Sequence, residues 1–435
     1  MNFKKPELYL KRKFDDFLVR WKDNPRHLPL IVKGARQVGK TWLLKEFAQK
    51  EYAKMAYVVC RKNPVVKEIF KVDFNMDRIL RALRALTGVD ITPGDTLIVL
   101  DEIQDVPEAL EALKYFREDA PDYHVAVAGS LLGLSMHEGT SYPVGQANTI
   151  NIYPMNFEEF LLAKGEEQLQ NLLAWKDYQT TNLLHEKLTD LLRQYYYVGG
   201  MPEAVQEYVT TENLQKVREI QQEILRGYDK DFSKHAPADQ VARIHMVWQT
   251  IPSQLFRENK KFIYGAVNKG SRAKDFEIAL QWLCDAGLAY RVQRVSKPEL
   301  PLKIYVEMNA FKLYLLDVGL LGAMAEVQPS QILVNNDIFK EYKGGMTEQY
   351  VLQQKKSRGI DGIYYHTTDA SRLVIDFLMQ RDGALLPIEV KAEGNVRSNS
   401  LTAFLGNNPG LRAERYSMLP YVEQESLTNV PLYAV

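Results

Sequence analysis

The first 165 residues predict an α/β fold built on a parallel sheet, and two segments carry that prediction. One is the apolar run Leu28-Pro-Leu-Ile-Val32, which passes through Gly34-Ala-Arg-Gln-Val-Gly39-Lys40-Thr41 into a helix-like stretch, Trp42-Leu-Leu-Lys-Glu-Phe-Ala48. The other is Thr96-Leu-Ile-Val-Leu100, an unbroken apolar strand closed by Asp101-Glu102. Unbroken apolar strands are those buried on both faces, as parallel strands between helices are.

The strand–loop–helix passage has the form of a phosphate-binding loop. Its glycines let the backbone turn around a polyphosphate, and the following helix N-terminus adds partial positive charge. Gly34, Ala35, Arg36, Gln37, Val38, Gly39, Lys40, Thr41 and Trp42 are therefore the expected ATP-binding residues. Lys40 is expected to reach the β/γ oxygens and Thr41 to ligate Mg²⁺. Asp101 and Glu102 close a strand at the sheet edge where ligands of open α/β sheets sit. Asp101 suits the Mg²⁺ shell, and Glu102 suits orientation or deprotonation of the attacking water. Tyr123-His-Val-Ala-Val-Ala128 reads as another strand, and Ser130 beyond it is placed to sense the γ-phosphate. A strand passing into a helix over Asn151 to Leu161 closes this region.

Residues 166–234 read as a helical lid or linker, bent at Gly199-Gly200-Met201-Pro202. The aromatics Tyr195, Tyr196 and Tyr197 before the bend are expected in a core. Residues 235–330 read as a winged-helix module: a helix over Ala273 to Cys284 with Gly287 as its stop, then strands over Leu288 to Val295 and Lys303 to Met308. A DNA-reading helix should be basic, yet Arg272 and Lys274 sit among Asp275 and Glu277. DNA and a protein partner are both open as its target.

The final region, 331–435, carries a second set of charged residues. Leu373-Val-Ile-Asp376-Phe-Leu-Met379 and Leu386-Pro-Ile-Glu389-Val-Lys391 flank Asp382-Gly383, a favoured two-residue hairpin turn. That turn opposes residues whose numbers sum to 765, which sets Asp376 across from Glu389. Opposed carboxylates repel, and a divalent cation would relieve the repulsion. Lys391 could then stabilise developing negative charge. An Asp followed by Glu-x-Lys on the next strand resembles the PD-(D/E)xK restriction-endonuclease-like fold. Glu348 matches the acidic residue that the first helix of that fold often contributes. The resemblance implies a second metal site formed by Glu348, Asp376, Glu389 and Lys391.

As a whole the chain resembles a prokaryotic AAA-type ATPase family that joins an N-terminal ATPase to a winged helix and a restriction-endonuclease-like end. The resemblance rests on Gly34 to Thr41, Leu100-Asp-Glu-Ile-Gln104, Ala128-Gly-Ser130, Tyr153 to Phe160, Gly199 to Pro202, Lys312 to Leu321 and Ile388-Glu-Val-Lys391. It implies an α/β P-loop NTPase with a helical extension, followed by a winged-helix module and an α+β restriction-endonuclease-like domain. It also implies Mg²⁺-dependent ATP hydrolysis, in a homo-oligomer or with a protein partner. Two departures stand out. Gln146 replaces a basic residue common in relatives, which leaves Arg117 and Arg193 as candidates for an arginine-finger contact. Val374 replaces a glutamate two residues before Asp376, which weakens the alternative expectation of an ATP-regulated DNA nuclease using Asp376, Glu389 and Lys391.

With 55 basic and 55 acidic side chains, no global field draws the chain to nucleic acid. Cys60 and Cys284 lie far apart in sequence and suit a reducing cytoplasm. No apolar stretch approaches the roughly 20 residues that span a bilayer, so no membrane association is expected.

Overall fold

The computed structural model describes residues 10–130, 132–135, 145–257, 260–333, 340–368, 373–392 and 399–435. They form two compact units. One comprises the described residues of Lys11–Tyr153 with Asp285–Gly287, and the other comprises Leu10 and the described residues of Pro154–Cys284 and Leu288–Val435.

The first unit is a five-stranded, all-parallel sheet. Its strands are β1 (Leu30–Lys33), β2 (Lys54–Val59), β3 (Thr96–Asp101), β4 (His124–Ala128) and β5 (Asn148–Asn151), in spatial order β2-β3-β4-β1-β5. Every residue of β3 is buried. Ile98 and Leu100 of β3 pack with Ile31, Val58, Val125 and Val127 against Ile79, Leu83, Leu113 and Phe116 of the flanking helices. In register, Asp101 stands beside Ala128, and Ala128 stands beside Val32. The phosphate-binding loop, the acidic pair and Gly129-Ser130 thus leave the sheet at one edge. The closing strand ends at Asn151, where the sequence suggested it would begin. Pro154 lies between it and the next helix, Phe157–Ala163, which a reciprocal Asn156–Glu159 capping box opens.

The second unit starts as a helical array. Helix His185–Val198 buries Tyr195, Tyr196 and Tyr197, so these aromatics are core. The chain then bends at Gly199, whose φ of 72° favours glycine, and Pro202 opens the next helix. A side chain at Gly200 would collide with Met155 backbone.

Eight further strands form one mixed sheet: β6 (Ala289–Val295), β7 (Val306–Leu315), β8 (Tyr364–Thr367), β9 (Val374–Arg381), β10 (Ala384–Val390), β11 (Ala413–Ser417), β12 (Val422–Glu423) and β13 (Leu427–Pro431). Their order is β12-β13-β11-β10-β9-β8-β6-β7. Helix Ala273–Asp285 and the following β6–β7 pair match the expected helix and wing strands. Two differences have physical causes. Leu302–Tyr305, just after Pro301, is a 3₁₀ turn rather than strand, and β7 continues to Leu315. Ala310–Leu315 is buried throughout, which conceals the alternation that marks a half-buried strand. Further, β6 pairs in parallel with β8, so the sheet runs across the position expected to separate residues 235–330 from 331–435.

Helix Lys340–Ser357 is joined to this unit through side-chain amides. Gln349 exchanges two hydrogen bonds with the Leu315 backbone (2.8 and 2.6 Å), and Gln353 accepts from Val318 N at 2.8 Å. Gln353 also donates to Asp317 at 2.9 Å, while Gly200 N donates to the same Asp317 oxygen at 2.6 Å. Gly199 to Pro202 and Lys312 to Leu321, two of the stretches behind the family resemblance, therefore meet at one buried carboxylate. Burial pushes the Asp317 carboxyl up, against the pull of its backbone donors.

Candidate nucleotide site and carboxy-terminal charge cluster

Positive φ at Gly34 (147°), Gln37 (66°) and Gly39 (94°) curls the loop between β1 and helix Lys40–Glu51. A β-carbon at Gly34 would collide with the Ile152 carbonyl, so glycine is required for contact as well as conformation. Ala35 and Val38 are buried, Gly34, Arg36, Gly39, Thr41 and Trp42 are half-buried, and Gln37 is exposed. Arg12, which no motif or spacing marks, supports the loop. Its guanidinium donates to Val38 O at 2.9 Å and to Tyr153 O at 2.7 Å.

Lys40 is buried, and its ammonium donates to Gly34 O at 2.9 Å and Ala35 O at 2.7 Å. Burial lowers its pKa to about 8 against the pull of Glu102 and Asp101. Thr41 Oγ1 donates to Asp101 Oδ2 at 2.7 Å, which joins the loop to the tip of β3. Tyr57, on β2, donates to the same oxygen at 2.7 Å. Burial and that carboxylate push its phenol well up. A tyrosine in a strand reads as core from sequence, and only the parallel pairing of β2 with β3 reveals its reach.

Glu102 adopts a left-handed conformation, φ 53°, uncommon for a non-glycine residue and frequent at functional sites. Gln104 Nε2 donates to Glu102 Oε2 at 2.6 Å, and Ser130 Oγ reaches the same oxygen at 3.4 Å. A side chain at Gly129 would collide with Gln104 Oε1 and with Leu132. Gly129-Ser130 therefore does more than end a strand, since the bare glycine leaves room for the amide that holds Glu102. Lys40, Thr41, Asp101, Glu102 and Ser130, all selected from sequence, come together at this edge. The alternative arginines are both engaged. Arg117 donates to Gly145 O at 3.0 Å and to the Gln146 side chain, and Arg193 pairs with Asp190 at 2.9 Å.

In the second unit the β9–β10 hairpin has the anticipated register. Arg381 pairs with Ala384 and Phe377 with Ile388, each summing to 765, around a turn with φ of 52° at Asp382 and 78° at Gly383. Asp376 Oδ2 accepts from Val390 N at 2.9 Å. The other members of the suggested metal site have different partners. Glu348 is ion-paired to Lys260 and to Lys312 (3.0 Å), and Tyr314 donates to it at 2.8 Å. Glu389 pairs with Lys391 at 3.2 Å and lies in register with Arg415 of β11. Among the described residues, no group of three or more His, Cys, Asp or Glu side chains is arranged to hold a metal. Lys260 and Lys312 were not selected from sequence, and nothing in their local spacing marks them. At helix Ala273–Asp285 and the strand after it, Arg272 N donates to Asp275 at 2.7 Å and Arg291 pairs with Glu277.

Residues 26–161 match the model of a family described as an AAA domain. Residues 189–331 and 343–433 match two families described as domains of unknown function, DUF8612 and DUF4143. No curated protein matches. Among solved structures, the Walker-type ATPase PABY2304 of Pyrococcus abyssi is similar at 14% identity over 74% of this chain and 99% of its own, TM-score 0.45. The ORC2 protein of Aeropyrum pernix, in ADPNP–ADP complexes, is similar at 14% identity over 75% of this chain and 95% of its own, TM-score 0.37. Among the described residues no helix is long and apolar enough to cross a membrane. With the loop, the acidic pair and the family match in agreement, residues 26–161 are an AAA-type P-loop ATPase domain.

Proposed function

We propose that the chain binds and hydrolyses MgATP, and that nucleotide state switches the behaviour of its carboxy-terminal region toward a macromolecular partner. The observation that carries this reading is the bond from Thr41 to Asp101, made beside the buried Lys40. Thr41 and Asp101 are an oxygen pair suited to Mg²⁺, which when bound neutralises charge on the β- and γ-phosphates. Lys40 would leave the Gly34 and Ala35 carbonyls for the phosphates. Glu102, released by Gln104, would orient the attacking water and accept its proton, and Ser130 would report on the γ-phosphate. Arg117 or Arg193 could contact the phosphates only after giving up its present partners.

The hairpin register supports a restriction-endonuclease-like architecture for the end of the chain. ATP-regulated nuclease activity is the second reading, and the lysines on its carboxylates argue against it. The ion pair that occupies Arg291 with Glu277 favours a protein over DNA as the target of the winged-helix segment. A nucleotide-dependent binding protein with little turnover is the limiting form of the first reading. Lys40→Ala and Glu102→Gln test it. The first variant should lose ATP binding in a direct titration. The second should retain ATP while phosphate release stops. Undiminished ATP affinity in Lys40→Ala would remove the site assignment.

A further inference from the structure

The buried charges of the second unit leave little for a metal ion to bind. Both oxygens of Glu348, a residue 2% exposed, are occupied. Oε1 takes Lys260, while Oε2 takes Lys312 at 3.0 Å and the Tyr314 hydroxyl at 2.8 Å. Asp376 presents Oδ2 to Val390 N at 2.9 Å and Oδ1 to the Lys312 ammonium at 3.8 Å. Lys312 starts from β7 and crosses the face of the sheet, its ammonium 5.2 Å from the centroid of the Tyr365 ring on β8. Glu389 Oε1 holds Lys391 at 3.2 Å. Lys260 and Lys312 balance Glu348 and Asp376, and Lys391 balances Glu389. The formal charge of the set is zero before any ion arrives.

This differs from what a metal-dependent phosphodiesterase needs. Mg²⁺ is captured by carboxylates with uncompensated negative charge and free oxygen lone pairs, and it keeps several waters. Here an entering divalent ion would have to displace tethered ammonium groups from a buried position. The Lys–Glu pairs it broke would leave unpaired charge in a low-dielectric setting.

We propose that Lys260 and Lys312 are the resident cations of this centre. They stand where a nuclease of this architecture would recruit a divalent metal, and they make the hairpin a metal-independent clamp joining helix Lys340–Ser357 to β7 and β9. Three elements distant in sequence are thereby fastened by charge instead of by a catalytic ion. The proposal does not depend on the ATPase reading, because every residue in it lies in the second unit.

Mn²⁺ binding to the full chain, counted by electron paramagnetic resonance, tests it. Asp101→Asn is used as background to remove the nucleotide-site ligand. With both lysines intact, no Mn²⁺ that depends on Asp376 should bind at millimolar concentration. Replacing both, Lys260→Met with Lys312→Met, should create one site at least tenfold tighter, which Asp376→Asn abolishes. A site present with the lysines intact and lost in Asp376→Asn would overturn the proposal. So would a Lys260→Met, Lys312→Met variant with native circular dichroism that binds no Mn²⁺. If that variant does not fold, the lysine-intact comparison with and without Asp376 still decides.

Discussion

Tyr57 donates its phenolic hydrogen to Oδ2 of Asp101 across 2.7 Å, linking neighbouring strands β2 and β3 at the nucleotide edge. Thr41 donates to the same oxygen, so the carboxylate proposed for the metal shell is oriented from both sides. Tyr57→Phe keeps the ring and removes one charge-assisted bond, a contact worth about 1.5–3 kcal/mol. Turnover should fall about tenfold, a loss of about 1.4 kcal/mol in barrier terms. The Mg²⁺ concentration for half-maximal rate should rise as well. Unchanged steady-state rates across a Mg²⁺ titration would reduce Tyr57 to packing.

Gly129 makes room for the Gln104 side chain, which in turn holds Glu102. Gly129→Ala should therefore act on turnover more than on binding. We expect phosphate release to drop at least tenfold, with ATP affinity by calorimetry within about twofold of wild type, since the phosphate loop is untouched. Equal losses in both would point to general disruption.

Lys40 supplies a pH test. Burial lowers its pKa to about 8, so the free protein loses this positive charge as pH rises through that value. Polyphosphate favours the charged form, so binding above pH 8 must be accompanied by proton uptake, and affinity must decline with rising pH. Calorimetry at pH 8.5 in buffers of different ionisation enthalpy should show uptake of roughly three-quarters of a proton. At pH 6.5 the Lys40 contribution should vanish. Equal uptake at the two values would contradict the assignment.

Arg12 binds carbonyls of Val38 and Tyr153 from a buried position. Arg12→Ala leaves those acceptors unsatisfied and should cost about 2–3 kcal/mol. In thermal unfolding, the transition of the first unit should shift down by roughly 5–10 °C. ATP added at saturation should recover part of the loss, because binding stabilises the folded loop.

Glu348 is the shared partner of Lys260 and Lys312, and their pull outweighs burial to hold its pKa at about 2. Glu348→Gln removes the charge and leaves buried ammonium groups facing Asp376 alone, so a cost of about 3–5 kcal/mol is expected. The ionised Glu348 stabilises the fold above the ordinary carboxylate range and loses that effect as pH falls through about 2. The deficit of the variant in urea unfolding should thus be full at pH 7 and smaller at pH 3.

The candidate nucleotide site was legible as an arrangement of residues because its determinants are local. A loop of fixed spacing and an acidic pair closing an apolar strand each declare themselves within a few residues. The β9–β10 register was legible for the same reason, since the Asp382-Gly383 turn fixes every pair. Arg12, Tyr57 and Gln104 act through neighbours that only folding supplies, and no periodicity marks them. Lys260 and Lys312 meet Glu348 across 88 and 36 residues of chain, a separation at which charge patterning carries no signal. Without those lysines, Glu348, Asp376, Glu389 and Lys391 read as a set with net negative charge. The join between β6 and β8 was hidden too, because parallel pairing leaves no turn signature.

The insertion of β8 between β6 and β9 bears on how the chain can be dissected. A fragment ending near residue 330 would leave β6 paired with β7 but strip it of β8, baring a row of backbone groups on that side, the kind of margin that invites self-association. Such a piece should come out as aggregates, whatever its intended activity. Expression of Pro154 onward as one body keeps every strand beside its neighbour.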